Sequence, residues 1–390
     1  VCAPAVASFY DLPLLSQVLR IQGFVLILNA LSTIQQNQLR KQLKFKRLAS
    51  VTVVSAILSA SLAIVLAYMG WGVWALVAQQ LMLSGFTTIL LWMLNKWYPS
   101  LVFSKESFKQ LFGFGGYILG SNLINTLCNN VQGLLIGKFF SPTTLGYYTQ
   151  AFKLEQVLSN SISSVVDHVS YPVLSELQDD NNALKKLLKK LTLIIAFIST
   201  PILLIFVVIS EPIIMLLYSD KWLPSVEYLQ ILCVAGIAVC LQGISYYAVA
   251  SKGKSKDLFW WTFIKRGFGL VFLVVGMIIG GIKGLMYGFV VSAWFLLLIN
   301  QYLVSKHIGY SLLQQYKDLL PIYLLSATVC FICLFAYQHI NLHMYTNGAI
   351  CTAIFVILYT NIARIIKLDV YTEVKSIIKN YLRYKTFIKL

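Results

Sequence analysis

From about residue 18 to residue 366 the chain is a succession of apolar runs, each near the length needed to cross a bilayer and each closed by a short polar or basic segment. Lipid offers no water to backbone N–H and C=O groups, so a span must be an α-helix of about 20 residues or a strand of a closed barrel. The runs do not alternate apolar with polar residues, which argues against the barrel. They predict eleven helices, at roughly 18–38, 48–69, 72–95, 110–138, 144–172, 190–210, 226–250, 258–280, 283–305, 318–337 and 347–366, with ends defined to about 2–4 residues. Composition agrees: 58% of the residues are hydrophobic and 12% charged, against about 25% charged in soluble domains. The expected fold is all-α and polytopic.

The opening VCAPAVASFYDLP reads as the last turns of a further helix running into a loop, without the basic segment and apolar core of a signal peptide. The expectation is an N-terminally truncated chain.

Lys and Arg gather in alternate connections, beginning with NQLRKQLKFKR and ending with the tail from Arg364. Those connections hold 24 of them, and the opposite side holds Lys138, Lys221 and Lys283. Cytoplasmic loops carry such an excess, so the C-terminus is expected in the cytoplasm. The net charge of +17 then faces anionic membrane lipids rather than nucleic acid.

The seven cysteines are mostly scattered through apolar runs; Cys330 and Cys333 have CxxC spacing but lie mid-helix with no second pair of ligands. The four histidines form no ligand set, and no catalytic motif is present. The reading is a protein that is not an enzyme and needs no metal or cofactor.

The chain also repeats itself. WGVWALVAQQLMLSGFTTILLWML, from Trp71, and GGIKGLMYGFVVSAWFLLLINQYL, from Gly280, each open on a glycine-rich turn at an offset of about 209 residues, and at a similar offset LRKQLKFKR is matched by SKGKSKDLF. Both copies have the same membrane orientation, which suggests parallel halves.

Polar residues inside spans are costly unless they face a bundle interior or a water-filled cavity. Asn122, Asn125, Asn129 and Gln132 recur at helical spacing before the turn SPTTLG, and Thr149, Lys153, Gln156, Asn160, Ser163 and Asp167 do so after it. Asn29, Ser32 and Gln36 form a shorter stripe. A hairpin of two striped helices explains the turn, with Tyr147 and Tyr148 suited to the interfacial belt. Lys153 lies about two turns inside and points a cation into the cavity. Glu155 lies off the stripe, and Asp167, beside His168, is a candidate for proton relay together with Glu155.

LRKQLKFKRLA, GVWALVAQQLMLSGFTTILLWML, IGKFFSPTTLGYYTQAFKL, YPVLSELQDD, EPIIMLLYSDKWLPSVEYLQILCVAG and IKRGFGL, in this order along nearly the whole chain, resemble the polysaccharide-exporter branch of the multidrug, oligosaccharidyl-lipid and polysaccharide flippase superfamily. The resemblance implies about fourteen helices in two six-helix bundles around a central cavity, plus two C-terminal helices. On that pattern residues 1–109 are the remainder of the N-terminal bundle, 110–305 the C-terminal bundle, and 306–390 two additional helices and a basic cytoplasmic tail. About 80 to 90 residues would precede Val1. The implied function is flipping of an oligosaccharide or polysaccharide repeat unit on a polyprenyl diphosphate across the bacterial inner membrane by alternating access. Polysaccharide polymerase and export machinery are the implied partners.

Lys153, Lys265 and Arg266 would then hold phosphate or acidic sugars, and Asn122, Asn125, Asn129, Gln132, Gln156 and Asn160 would bond sugar hydroxyls. Snorkelling to the interface is the competing reading of Lys265 and Arg266. Two other classes compete. A multidrug or cation antiporter of the same superfamily would place carboxylates in its cavity. A membrane glycan polymerase or ligase would need a sizeable outer loop with catalytic residues, and the longest such loop, SEPIIMLLYSDKWLPSVE, is short and partly apolar.

Overall fold

The computed structural model describes residues 3–95, 104–339 and 343–376, and among these every regular element is helical. The order is α1 (Ala3–Phe9), α2 (Pro13–Lys41), α3 (Phe45–Tyr68), α4 (Val73–Leu94), α5 (Lys105–Phe139), α6 (Pro142–Glu176), α7 (Asn181–Val208), α8 (Ser210–Tyr218), α9 (Ser225–Ser251), α10 (Ser255–Ile308), α11 (Leu312–His339) and α12 (Met344–Ile365). Every expected span falls within one of these helices or overruns its ends by no more than two residues. Among the described residues eight helices are long and apolar enough to cross a membrane, and one of them, α10, accounts for two of the expected spans. Helices α5 and α6, each of 35 residues, carry the two longer polar stripes and are not among the eight found among the described residues.

The run assigned to α10 is a helical hairpin. Its helical path breaks at Gly280 (φ −132°, ψ 20°) and Gly281 (φ 57°, ψ −137°), the second a conformation open to glycine and strained for other residues. The chain then returns alongside itself, so that Asp257 near one end accepts from Lys306 (3.3 Å) and pairs with His307 (2.9 Å) near the other. Close approach is possible because Gly276, Gly284 and Gly288 have no side chains: a Cβ on Gly284 would overlap the carbonyl oxygen of Gly276, and one on Gly288 that of Phe272. Small residues at crossings are how helices associate where lipid removes the hydrophobic drive.

The chain divides into two compact units, Val1–Ile124 and Asn125–Leu390. In the second, α9 is central, with α6, α7 and α10 packed around it, and α11 lies on α7 and α12. Leu229, Leu232, Cys233, Ala235, Ala238, Leu241, Ile244 and Ala248 of α9 are all fully buried. In the first unit α4 packs on α2 and α3, with an apolar core of Leu39, Val51 and Leu91. Much of the remaining interior is small and polar: Ser32, Ser55, Ser59, Ser84 and Thr88 are buried. Thr88 donates to the Leu28 carbonyl (2.9 Å) and Trp92 to that of Leu31 (3.1 Å), tying α4 to α2.

The repeat visible in the sequence has a backbone counterpart. Gln42, Leu43 and Lys44, between α2 and α3, have φ −85°, 55° and −84°. Lys252, Gly253 and Lys254, between α9 and α10, have φ −76°, 69° and −86°. Gly72 before α4 (φ 52°, ψ −124°) matches Gly281. The segment α2–α3–α4 and the segment made of α9 and the two arms of α10 are therefore built to one local plan.

Candidate functional site

The α5–α6 hairpin is closed by Ser141, whose hydroxyl accepts from the Thr144 amide (3.1 Å) to cap α6, with Pro142 in the first turn where its missing N–H leaves nothing unsatisfied. The two tyrosines that follow part company. Tyr147 stands edge-on to Trp222 with ring centroids 5.8 Å apart. Tyr148 is buried, and its hydroxyl donates to the Gln132 side-chain carbonyl, so it joins α5 to α6 instead of lying in the interfacial belt.

Helix α6 has two distinct polar faces. Tyr148, Ala151, Glu155 and Ser159 are buried; Lys153, Gln156 and Asn160 are exposed. The buried face packs on α9. Glu155 accepts from the Ser159 hydroxyl, and both fit because α9 offers Gly236: a Cβ there would overlap the Glu155 carboxylate and lie 2.9 Å from Ser159 Oγ. Glu155, placed off the stripe by its spacing, is thus interior to the bundle.

In α10, Lys265 is buried and its ammonium donates to Asn300 Oδ1 on the other arm of the hairpin. Asn300 in turn donates to the Gln242 carbonyl of α9 (3.3 Å), and the Gln242 side chain donates to the Ala293 carbonyl (2.9 Å). Among the described residues this chain of bonds holds a cation inside the second unit and includes no carboxylate. Arg266 donates to Asn129 of α5 (3.0 Å), linking two residues singled out from the sequence. Lys153, Gln156 and Asn160 are not joined to that group. The side chains of Asn122, Asn125 and Asp167 lie outside the described residues. In the first unit the stripe of Asn29, Ser32 and Gln36 is partly satisfied within α2: Ser32 donates to the Asn29 carbonyl (3.0 Å) and Gln36 to Ser32 (3.2 Å).

Sequence reasoning missed Gln242, Asn300 and Ser159. The two amides interrupt strongly apolar runs, and the cost of a lone amide in lipid is the signal that could have found them.

At the basic end of the second unit, connections assigned to one side of the membrane meet. Lys189 pairs with Asp318 (2.8 Å), Lys190 with Glu373 (3.1 Å) and Lys306 with Asp257 (3.3 Å). Tyr310 donates to Asp318 (2.6 Å), and burial together with that carboxylate holds its hydroxyl above the ordinary tyrosine range. At the other end Lys283 pairs with Glu227 (2.8 Å).

Eight apolar helices with a buried cation and its amide partners among them define a multi-pass helical membrane protein. Its fold is that of a solved lipid II flippase, MurJ in an inward closed conformation, with a TM-score of 0.70 over 91% of this chain and 75% of that one at 15% identity. Residues 1–227 match the family described as "Polysaccharide biosynthesis protein", and the chain belongs to that family. Similar curated proteins include the teichuronic acid biosynthesis protein TuaB of Bacillus subtilis, 28% identical over 67% of this chain and 54% of its own length. The lipopolysaccharide biosynthesis protein WzxC of Escherichia coli is 24% identical over 59% of this chain and 47% of its own. The succinoglycan biosynthesis transport protein ExoT of Rhizobium meliloti is 23% identical over 68% and 54%. The chain thus spans about half the length of these relatives.

Proposed function

We propose that the protein containing this chain is a flippase for lipid-linked oligosaccharide, moving a glycan on a polyprenyl diphosphate across the bacterial inner membrane by alternating access. Its basic end and C-terminus face the cytoplasm, and it supplies the repeat unit to polymerase and export machinery. The observation that carries the reading is Lys265, a buried cation answered by the amide of Asn300 and, among the described residues, by no carboxylate. An ammonium removed from water keeps its charge at a cost unless an anion or several dipoles attend it, and a diphosphate is such an anion. Arg266 stands next to it with a planar guanidinium suited to bidentate phosphate contact. The exposed Lys153, Gln156 and Asn160 offer one cation and two amides along one face of α6. The flippase fold and the family's role in polysaccharide biosynthesis point the same way.

The test is translocation of a diphosphate-linked glycan in vesicles holding the full-length protein. Arg266→Gln and Lys153→Gln should each weaken apparent affinity about tenfold or more, from a charge-assisted bond worth about 1.5–3 kcal/mol, while Lys153→Arg retains transport. Normal transport in the Lys153→Gln, Arg266→Gln double variant would remove the cationic path. Cation antiport is the second reading, favoured by the buried carboxylate of Glu155. Loss of transport with Glu155→Gln alone, beside normal transport in both cation variants, would support it.

A further inference from the structure

The turn between α2 and α3 walls an open pocket of about 760 Å³, lined by Gln38, Lys41, Gln42, Lys44, Arg47 and, from the end of α4, Leu94 and Asn95. We infer that this pocket holds the phosphate headgroup of an anionic membrane lipid. The inference stands independently of the flippase reading.

The first support is charge without compensation. From residue 12 to residue 105 the sequence has eight Lys and Arg and no Asp or Glu. Asp11 lies at the far end of α2, which has 29 residues and is therefore roughly 43 Å long. Among the described residues Lys41, Lys44 and Arg47 are in no ion pair.

The second support is the internal repeat. Position 47 in the first unit corresponds to position 257 in the second. There Asp257 sits in the first turn of the helix and takes Lys306 and His307 as partners. The equivalent turn of α3 has Lys46 and Arg47 and no acid. Cations in the first turn of a helix oppose its dipole, so this arrangement is unfavourable on its own and is relieved by an anion from outside.

The third support is what surrounds the cations. Asn95 donates to the side-chain carbonyl of Gln38 (3.0 Å), and both amides line the pocket beside the cations. Leu94, which lines the pocket, is 50% exposed, and next to lining residues in the sequence Met93 and Leu43 are 75% and 74% exposed. A soluble phosphate would not use that apolar edge; the acyl chains of a lipid would cover it. Basic pockets at the ends of membrane helices suit such headgroups.

The test is native mass spectrometry of the full chain in detergent, titrated with phosphatidylglycerol, with phosphatidylcholine of the same chains, and with inorganic phosphate as competitor. One variant removes the pocket cations (Lys41→Gln, Lys44→Gln, Arg47→Gln), and a control removes three paired ones (Lys189→Gln, Lys190→Gln, Lys306→Gln). The expected result is a phosphatidylglycerol adduct at least about tenfold weaker in the pocket variant, since each basic residue near an anionic surface is worth about fivefold. The control should be within about twofold of wild type, phosphatidylcholine should not bind, and equimolar phosphate should not displace the lipid. Should the triple variant not fold, Lys44→Gln alone, at an exposed turn position, should weaken the adduct about fivefold. An unchanged adduct in the folded pocket variant, equal losses in both triples, equal binding of phosphatidylcholine, or displacement by phosphate would each overturn the proposal.

Discussion

The segment α2–α3–α4 and its counterpart in α9 and α10 share turns and helix order, yet they are held together differently. The second segment is a bundle centre, closed by glycine contacts in α10 and by the Lys265, Asn300 and Gln242 bonds. The first is pinned by hydroxyl, amide and indole donors, with Thr88 and Trp92 reaching main-chain carbonyls and Asn95 reaching Gln35 (2.5 Å) and Gln38 (3.0 Å). One backbone plan thus accepts two interiors, since in lipid the requirement is satisfied polar groups and close packing rather than apolar content.

Exchange of equivalent interior residues is the most severe way to break this comparison. Position 55 corresponds to position 265, and Ser55 is fully buried. Ser55→Lys places an ammonium where no equivalent of Asn300 exists, since the matching position is the buried Leu91, and should cost about 2.5–3.5 kcal/mol. A thermal melt of purified protein reads it. Lys265→Met should leave stability nearly unchanged or raised, and an equal loss in both would mean that the two interiors do not differ as described.

Next in size is Gly284→Ala. A Cβ there meets the Gly276 carbonyl, and the forced separation should cost about 1–3 kcal/mol. Gly85→Ala in α4 meets nothing within 4 Å and should be neutral or stabilising by up to about 1 kcal/mol. A wild-type melt for Gly284→Ala would show that the α10 arms are not in backbone contact.

The smallest effect lies in the matched turns. Leu43 adopts the left-handed conformation that Gly253 holds in the other unit. Gly253→Leu should destabilise by about 1 kcal/mol, and Leu43→Gly should stabilise by no more than that, because relieved strain is offset by backbone entropy. Opposite signs in the two melts are the expected signature, and equal signs would separate the turns.

The spans were legible because length and unbroken apolarity leave a helix few alternatives, and the pair GG at 280–281 marked the break within α10. Helical spacing also located the stripe of Lys153, Gln156 and Asn160. Spacing alone could not show which face of α6 turns inward, so Glu155 was placed off the stripe without its packing on Gly236, and Tyr148, read as suited to the interfacial belt, is buried against Gln132. The partners of Lys265 and Arg266 were beyond reach for a different reason: Asn300 is 35 residues away and Asn129 is 137 away, and only the fold brings them together.

The backbone contact of Gly276 with Gly284 has a thermodynamic consequence of its own. Interdigitated side chains lose rotamer freedom when two helices associate, a term that grows with temperature and with every long residue at the seam. A glycine seam freezes no rotors. Its stabilisation comes from dispersion and weak Cα–H contacts, terms of enthalpy that no rotamer change can dissipate. Where Gly276 and Gly284 meet, the two arms of α10 therefore close at a smaller side-chain entropy cost than at the aromatic contact of Phe272 with Phe295 elsewhere along the same hairpin.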